Sequence, residues 1–288
     1  MNFYLEAFQL SLCLGTMCLG VFISMKIFNI PDITTDGSYT LGASITAVLL
    51  SRHLPILYVM LASMSMGAVA GMLTGFIHTR LKIDALLAGI LVMTGLYSIN
   101  LIILGRSNIP LIDTASVFSS FTLFANTTYN NLSIGLLFII ITGLILLFVL
   151  KSDFGIAMRA TGSSETMARA LGINNNKMKI IGLAIANALT ALSGFLVAQY
   201  QNFTDINMGI GIVIVGLGSV LIGNVLKDWF KIKSIAAQLA LVVLGSLIFQ
   251  MVLAVTLVSG VDPNFLKLIT ALFVLLIVAL PRLRRHPA

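Results

Sequence analysis

The chain has 288 residues, a formal net charge of +7, 58% hydrophobic residues and only 9% charged ones. A soluble domain carries roughly 25% charged residues, so an ordinary water-soluble fold is excluded. Nucleic-acid binding is excluded as well: no basic patch alternates with aromatic residues, and the cations stand in short segments between apolar blocks.

The apolar blocks predict about nine spans, near residues 7–28, 39–51, 55–77, 84–104, 133–150, 178–200, 209–226, 235–258 and 266–281. A bilayer core of about 30 Å takes about 20 residues of helix. Lipid offers backbone groups no partner outside their own segment, so the spans are helices. The predicted fold is all-α, a polytopic membrane helix bundle forming a single transmembrane domain over 1–288. The first block has Asn2 and Glu6 where a cleaved signal carries Lys or Arg, so it reads as a retained span. Its thiols, Cys13 and Cys18, fall on different helix faces and read as buried. His53, His78 and His286 show no metal-ligand spacing.

The second block is short for a crossing. The seventh carries Gly209, Gly211, Gly216, Gly218 and Gly223. Both are expected to be irregular and shielded from lipid by protein. Asn29-Ile30-Pro31-Asp32-Ile33 ends the first span, and Asn202-Phe203-Thr204-Asp205-Ile206 ends the sixth. The shift is an odd number of spans, so the halves run in opposite senses. Two inverted repeats with interrupted helices, near 7–104 and 178–281, follow as the expectation, and that arrangement is a transporter signature.

Small residues recur at every fourth position in two spans: Ser63, Gly67, Gly71 and Gly75, then Gly182, Ala186, Thr190, Gly194 and Ala198. Each set lies on one helix face, where a neighbouring backbone approaches closely. Polar residues inside the apolar region are few. Asp32 and Asp36 flank the break after the first span, and Tyr97, Asn100, Asn187 and Gln199 stand in otherwise apolar helices. They are the candidates for a translocation pathway or gate, with capping and interhelical hydrogen bonding as the alternative roles. In the 105–132 segment, Phe118, Phe121 and Phe124 at spacing three predict a short amphipathic surface helix, either a landing site for a binding protein or a lid.

With the 151–177 loop placed inside, Lys26, Arg80, Lys82, Lys151, Arg159, Arg169, Lys177, Lys179, Lys227, Lys231, Lys233, Arg282, Arg284 and Arg285 fall inside; only Arg52, Arg106 and Lys267 fall outside. The positive-inside rule then predicts a cytoplasmic C-terminus. Within the inner loop, Ser164 is a candidate N-cap, Glu165 sits favourably in a first turn, and Gly172 supplies a left-handed stop. Met167 and Leu171 project from one face. A helix this short needs a docking partner.

The run Ala160-Thr161-Gly162-Ser163-Ser164-Glu165-Thr166-Met167-Ala168-Arg169-Ala170-Leu171-Gly172-Ile173 resembles the coupling-helix loop of bacterial ABC import permeases, in the class serving branched-chain amino acids and ribose. Gly155-Ile156-Ala157-Met158-Arg159-Ala160 and Ala188-Leu189-Thr190-Ala191-Leu192-Ser193-Gly194 fit the same family. Pro31-Asp32-Ile33-Thr34-Thr35-Asp36-Gly37 is similar to a subgroup paired with lipoprotein-type binding proteins, some of them implicated in aromatic amino-acid uptake. The resemblance implies a multi-pass permease of the bacterial inner membrane that imports a small solute, such as an aromatic or branched-chain amino acid. It implies a pair of permeases in membrane lipid, two cytoplasmic ATPase subunits and an extracytoplasmic solute-binding protein. It also implies an ATPase-coupling helix formed by Glu165, Met167, Ala168, Leu171 and Gly172. The chain itself is expected to be no enzyme and to bind no cofactor, with ATP and Mg on the partner. No Walker motif occurs, because Gly211-x-x-x-x-Gly216 is followed by Leu217-Gly218. An ion-coupled secondary transporter is the alternative; it would more usually carry carboxylates near mid-span.

Overall fold

The computed structural model describes residues 2–112, 114–122, 124–262 and 265–285. In chain order the helices are α1 (Asn2–Phe22, extended by a π-helical turn Ile23–Ile27), α2 (Thr34–Ser51), α3 (Ile56–Arg80), α4 (Ala85–Leu104), α5 (Val117–Ser120) and α6 (Thr127–Lys151). Then come α7 (Asp153–Ser163), α8 (Glu165–Ala170), α9 (Asn175–Gln201), α10 (Ile212–Trp229), α11 (Ile235–Val258) and α12 (Leu266–Arg285). Strands β1 (Asn108–Pro110) and β2 (Phe203–Asp205) pair antiparallel, with Ile109 opposite Thr204. This ribbon joins the segments that leave α4 and α9, and so fixes those two helix ends to one end of the bundle.

Among the described residues, seven helices are long and apolar enough to cross a bilayer: Phe3–Ile27, Ile56–Arg80, Ala85–Leu104, Thr127–Lys151, Asn175–Gln201, Ile212–Trp229 and Ile235–Val258. The protein is therefore a multi-pass membrane protein. The other two predicted spans are also helices. α2 starts at Thr34, ahead of the predicted 39, and is polar in its first turns and buried through most of its length. The apolar part of α12 is shorter, Leu266–Ile277. The seventh predicted span differs in detail. α10 is continuous through Gly216, Gly218 and Gly223, and the irregular backbone is confined to residues 202–211.

Burial separates an inner from an outer layer. In the most apolar stretch of α1, 83% of residues are buried, and in α9, 78%; in α3, α4 and α6 the share is 28%. α9 packs on α1, α2 and α3. The contact with α3 is made by the small-residue face. A Cβ at Gly67 would stand 2.5 Å from that of Ala191, one at Gly71 would meet the Leu183 carbonyl oxygen, and one at Gly75 would stand 2.7 Å from the Ile180 Cα. These are backbone collisions that no rotamer relieves. On the other faces of α9, Gly194 abuts the Tyr39 carbonyl of α2, and the Ala186 carbonyl abuts Gly20 of α1. Cys13 and Cys18 are buried and unoxidised in α1.

The segments after α1 and α9 share a local geometry. Asn29 and Asn202 both take left-handed backbone, with φ of 55° and 58°. Three residues later, Asp32 Oδ1 accepts from the Thr34 N–H at 3.0 Å, and Asp205 Oδ1 accepts from the Asn207 N–H at 2.8 Å. Each segment thus leaves a helix through a left-handed Asn and re-enters through an Asp turn.

Candidate functional site

The predicted pathway residues divide between two places, with one standing apart. Asp32, Asp36, Asn100 and Asn187 surround the first turns of α2. Asp32 is buried, and its Oδ2 accepts from Asn187 Nδ2 at 2.7 Å. Asn187 Nδ2 also reaches the Leu183 carbonyl at 3.0 Å, and its Oδ1 accepts from the Ser38 hydroxyl at 2.7 Å. Thr34 extends the chain to α3 through Thr74, with the two hydroxyls 2.7 Å apart. One buried network therefore ties α2, α3 and α9 together. Its polar atoms are paired, as buried polar atoms generally are.

Asp36 does a different job. Its Oδ2 accepts from the Gly211 N–H and its Oδ1 from the Val213 N–H, both at 2.8 Å. The carboxylate sits at the N-terminus of α10, where free N–H groups and the helix dipole favour negative charge. Capping of the helix that follows was an open alternative for this residue in the sequence; its carboxylate instead caps α10, distant in the chain. Asn100 Nδ2 donates to the Gly37 carbonyl at 3.2 Å, while its buried Oδ1 has no partner.

Gln199 lies elsewhere. Its Oε1 accepts from the Val117 N–H at 2.8 Å, and its Nε2 reaches the Phe195 carbonyl at 3.0 Å. It anchors α5 to the end of α9. Tyr97 is exposed on α4, apart from the other five. Among the described residues of the segment expected to form a surface helix, helix ahead of α6 is limited to the four residues of α5. Phe118 is buried edge-on against Tyr200, with ring centroids 6.1 Å apart, while Phe121 and Phe124 are exposed. Asn130 Nδ2 accounts for the short helix, because it takes the Phe118 and Phe121 carbonyls, both at 2.9 Å, and folds the chain back. The segment is packed on the bundle.

At the opposite end, α7 and α8 form the loop singled out by the sequence. Ser164 caps α8, its Oγ accepting from the Met167 N–H at 3.3 Å. Gly172 takes φ of +81°, and the N–H groups of Gly172 and Ile173 close onto the Arg169 and Ala168 carbonyls, both at 3.0 Å. That is the paired closure of a glycine-stopped helix. Glu165 binds Lys179 at 2.6 Å. Asn175, which sequence reasoning passed over, joins three helices: Nδ2 donates to the Glu165 carbonyl at 2.7 Å, and Oδ1 accepts from Thr161 at 3.4 Å. α7 meets the end of α1 where Gly162 lies against the Ile27 carbonyl and Asn29 Nδ2 bonds the Gly162 carbonyl at 3.3 Å.

Met167 is 68% exposed and Leu171 73%, but Ala168 is 1% exposed. The expectation that Ala168 faces a partner is corrected: α8 turns that methyl toward α7 and α9. A helix this short turns one position inward, and the alanine methyl there lets α8 lie close to its neighbours. Beside α8, a recess of about 810 Å³ is lined by His78, Lys82, Arg169 and Lys179 among others. A second, of about 370 Å³, is lined by Lys26, Arg159 and Lys233 among others. This is the basic end of the molecule, as opposed to the ribbon end.

Among the described residues, no group of three or more His, Cys, Asp or Glu side chains could hold a metal ion; His286 lies outside them. The architecture is that of a multi-pass membrane bundle with buried polar contacts between helices and a loop of two short helices, α7 and α8, at one end. Residues 3–280 match the family described as "Branched-chain amino acid transport system / permease component", and the chain belongs to that family. It is 40% identical to a "Tyrosine transport system permease protein" of Clostridioides difficile over 93% of this chain and 88% of the relative. It is 34% identical to an uncharacterized protein of Rickettsia prowazekii over 99% of each. It is 25% identical to the ribose import permease RbsC of Haemophilus influenzae over 67% of this chain and 60% of the relative. The chain is the permease component of an ABC importer for a small solute, not an enzyme, and the family works with ATPase and substrate-binding partners. The family assignment decides against the secondary-transporter alternative.

Proposed function

We propose that this permease imports an aromatic amino acid, pairs with a second copy of itself in the lipid bilayer, and takes its driving force through α8. The similarity to a tyrosine transport permease supports the solute class. The observation that carries the coupling reading is the pair Met167 and Leu171, two large apolar side chains more than two-thirds exposed on a capped helix at the basic end. Outside the bilayer such a pair is left in water unless another protein covers it. A cytoplasmic ATPase that binds ATP and Mg is that partner. Its closure would move α8, and Asn175 and Gly162 would pass the motion to α9 and α1.

Orientation follows from the cations. The recesses that collect Lys26, Lys82, Arg159, Arg169, Lys179 and Lys233 lie at one end, and the positive-inside rule puts that end, with the C-terminus, in the cytoplasm. The ribbon end then faces the binding protein. The chain is one transmembrane domain, 1–288, built of two inverted repeats, near 7–104 and 178–281. The matching Asn and Asp turns after α1 and α9 support that reading. The gate lies at the first turns of α2, which join the halves: Asp32 ties α2 to α9, and Asp36 ties α2 to α10. Asn100 belongs to the same place, and Gln199 and Tyr97 do not.

Uptake of labelled L-tyrosine by cells that depend on this permease tests the solute class. ATP-dependent uptake that excess phenylalanine or tryptophan reduces and excess ribose leaves alone is the expected result. Uptake reduced by ribose and not by aromatic amino acids would contradict it.

A further inference from the structure

At the ribbon end a cavity of about 630 Å³ opens between α1, α2, α9, β2, α10 and α11. Its size is that of an ordinary small-molecule site. The walls are apolar, with Leu10, Leu14 and Leu253 among them. The mouth is acidic: Glu6 is exposed and Asp205 half-buried, and the described lining residues include no lysine or arginine. Lys267, which follows the lining residue Leu266, is exposed.

The floor holds the informative groups. Gln250 is 6% exposed and Tyr39 2% exposed, and both line the cavity. Among the described residues, neither the Gln250 amide nor the Tyr39 hydroxyl has a hydrogen-bond partner. Buried polar groups are as a rule paired. Asn187 and Gln199, just as buried, have both ends of their amides bonded. The Gln250 amide and the Tyr39 hydroxyl open on one cavity and are available to a molecule that enters it.

We infer that this cavity binds a small solute with a protonated amine at one end, a ring-sized apolar middle and a hydrogen-bonding group at the far end. The amine meets Glu6 and Asp205 at the mouth, and the carboxylate that an amino acid carries beside its amine points outward, toward solvent and exposed Lys267. The middle lies against the leucines. The far group reaches the Gln250 amide and the Tyr39 hydroxyl. An acid without an amine is repelled at the mouth. This deepens the solute reading given above and rests on it.

The test uses the full chain in lipid nanodiscs and three probes: tyramine, phenethylamine, which lacks the far hydroxyl, and 3-(4-hydroxyphenyl)propionate, which lacks the amine. Tyramine should bind, phenethylamine about fivefold more weakly, and the acid should not compete. Gln250→Leu should bring tyramine down to the phenethylamine level and leave phenethylamine unchanged, a split that a misfolded variant does not give. Tyr39→Phe gives a second reading of the same kind. Absence of amine binding, equal binding of the acid, or tyramine binding unaffected by both variants would overturn the site. So would tyrosine uptake at the unaltered rate by Gln250→Leu, and that result would leave the importer reading standing. Absence of tyrosine uptake by the unaltered chain would instead remove the solute reading and leave the binding result as it is.

Discussion

Ser38 and Tyr39 are neighbours on α2, yet they face two regions built on opposite terms. Ser38 belongs to the network of Asp32, Asn187, Thr34 and Thr74, in which each polar side-chain atom has a partner within the protein. Tyr39 belongs to the ribbon-end cavity, where its hydroxyl and the Gln250 amide have none. Burial alone does not distinguish these regions. What distinguishes them is where the hydrogen bonds go: inward, to hold helices together, or into an open space. The first arrangement adds rigidity and is costly to break; the second leaves polar groups available.

Stability measurements in detergent should therefore rank the two regions. The largest loss is expected for Asn187→Leu, which leaves the Asp32 carboxylate and the Ser38 hydroxyl buried without their partner, at about 4 kcal/mol. Next comes Gly71→Leu, about 3 kcal/mol, because its side chain meets the Leu183 carbonyl of α9 and parts the helices that carry the network. Gly95→Leu is the control: no atom stands within 4 Å of a Cβ there, and its melting temperature should be unchanged. Asp36→Ala should cost about 1–2 kcal/mol through loss of the α10 cap. Gln250→Leu should fall within about 0.5 kcal/mol of the unaltered chain. A Gln250→Leu loss as large as that of Asn187→Leu would erase the distinction, since it would make Gln250 another internal tie.

The sequence made parts of this legible for reasons the structure supplies. Spacing of four is a property of one helix, so Gly67, Gly71 and Gly75 could be assigned to one face before their contacts were known. The same holds for the Ser164 cap and the Gly172 stop, which are settled within a few residues. Long-range facts were not legible. That Asp36 caps α10, that Asn175 joins α7, α8 and α9, and that Ala168 turns inward depend on which segments meet. The ribbon joins strands of three residues each, too short to leave a periodic signal. Gln250 did carry a signal, an amide in the middle of apolar α11, the same that drew attention to Asn100, Asn187 and Gln199. Its pairing with Tyr39 across a cavity could not be read from a line of residues.

The central claim, that the driving force enters through α8, has a direct test in retention of the partner. The unaltered permease and the double variant Met167→Glu, Leu171→Glu are purified from native membranes under the same conditions, and the ATP-hydrolysing subunit that accompanies each is measured. Both side chains are exposed, so the double variant should reach the membrane at the usual level and keep its fold. The unaltered chain should retain the ATPase and the double variant should lose it. Equal retention by both would contradict the account and take α8 out of the coupling.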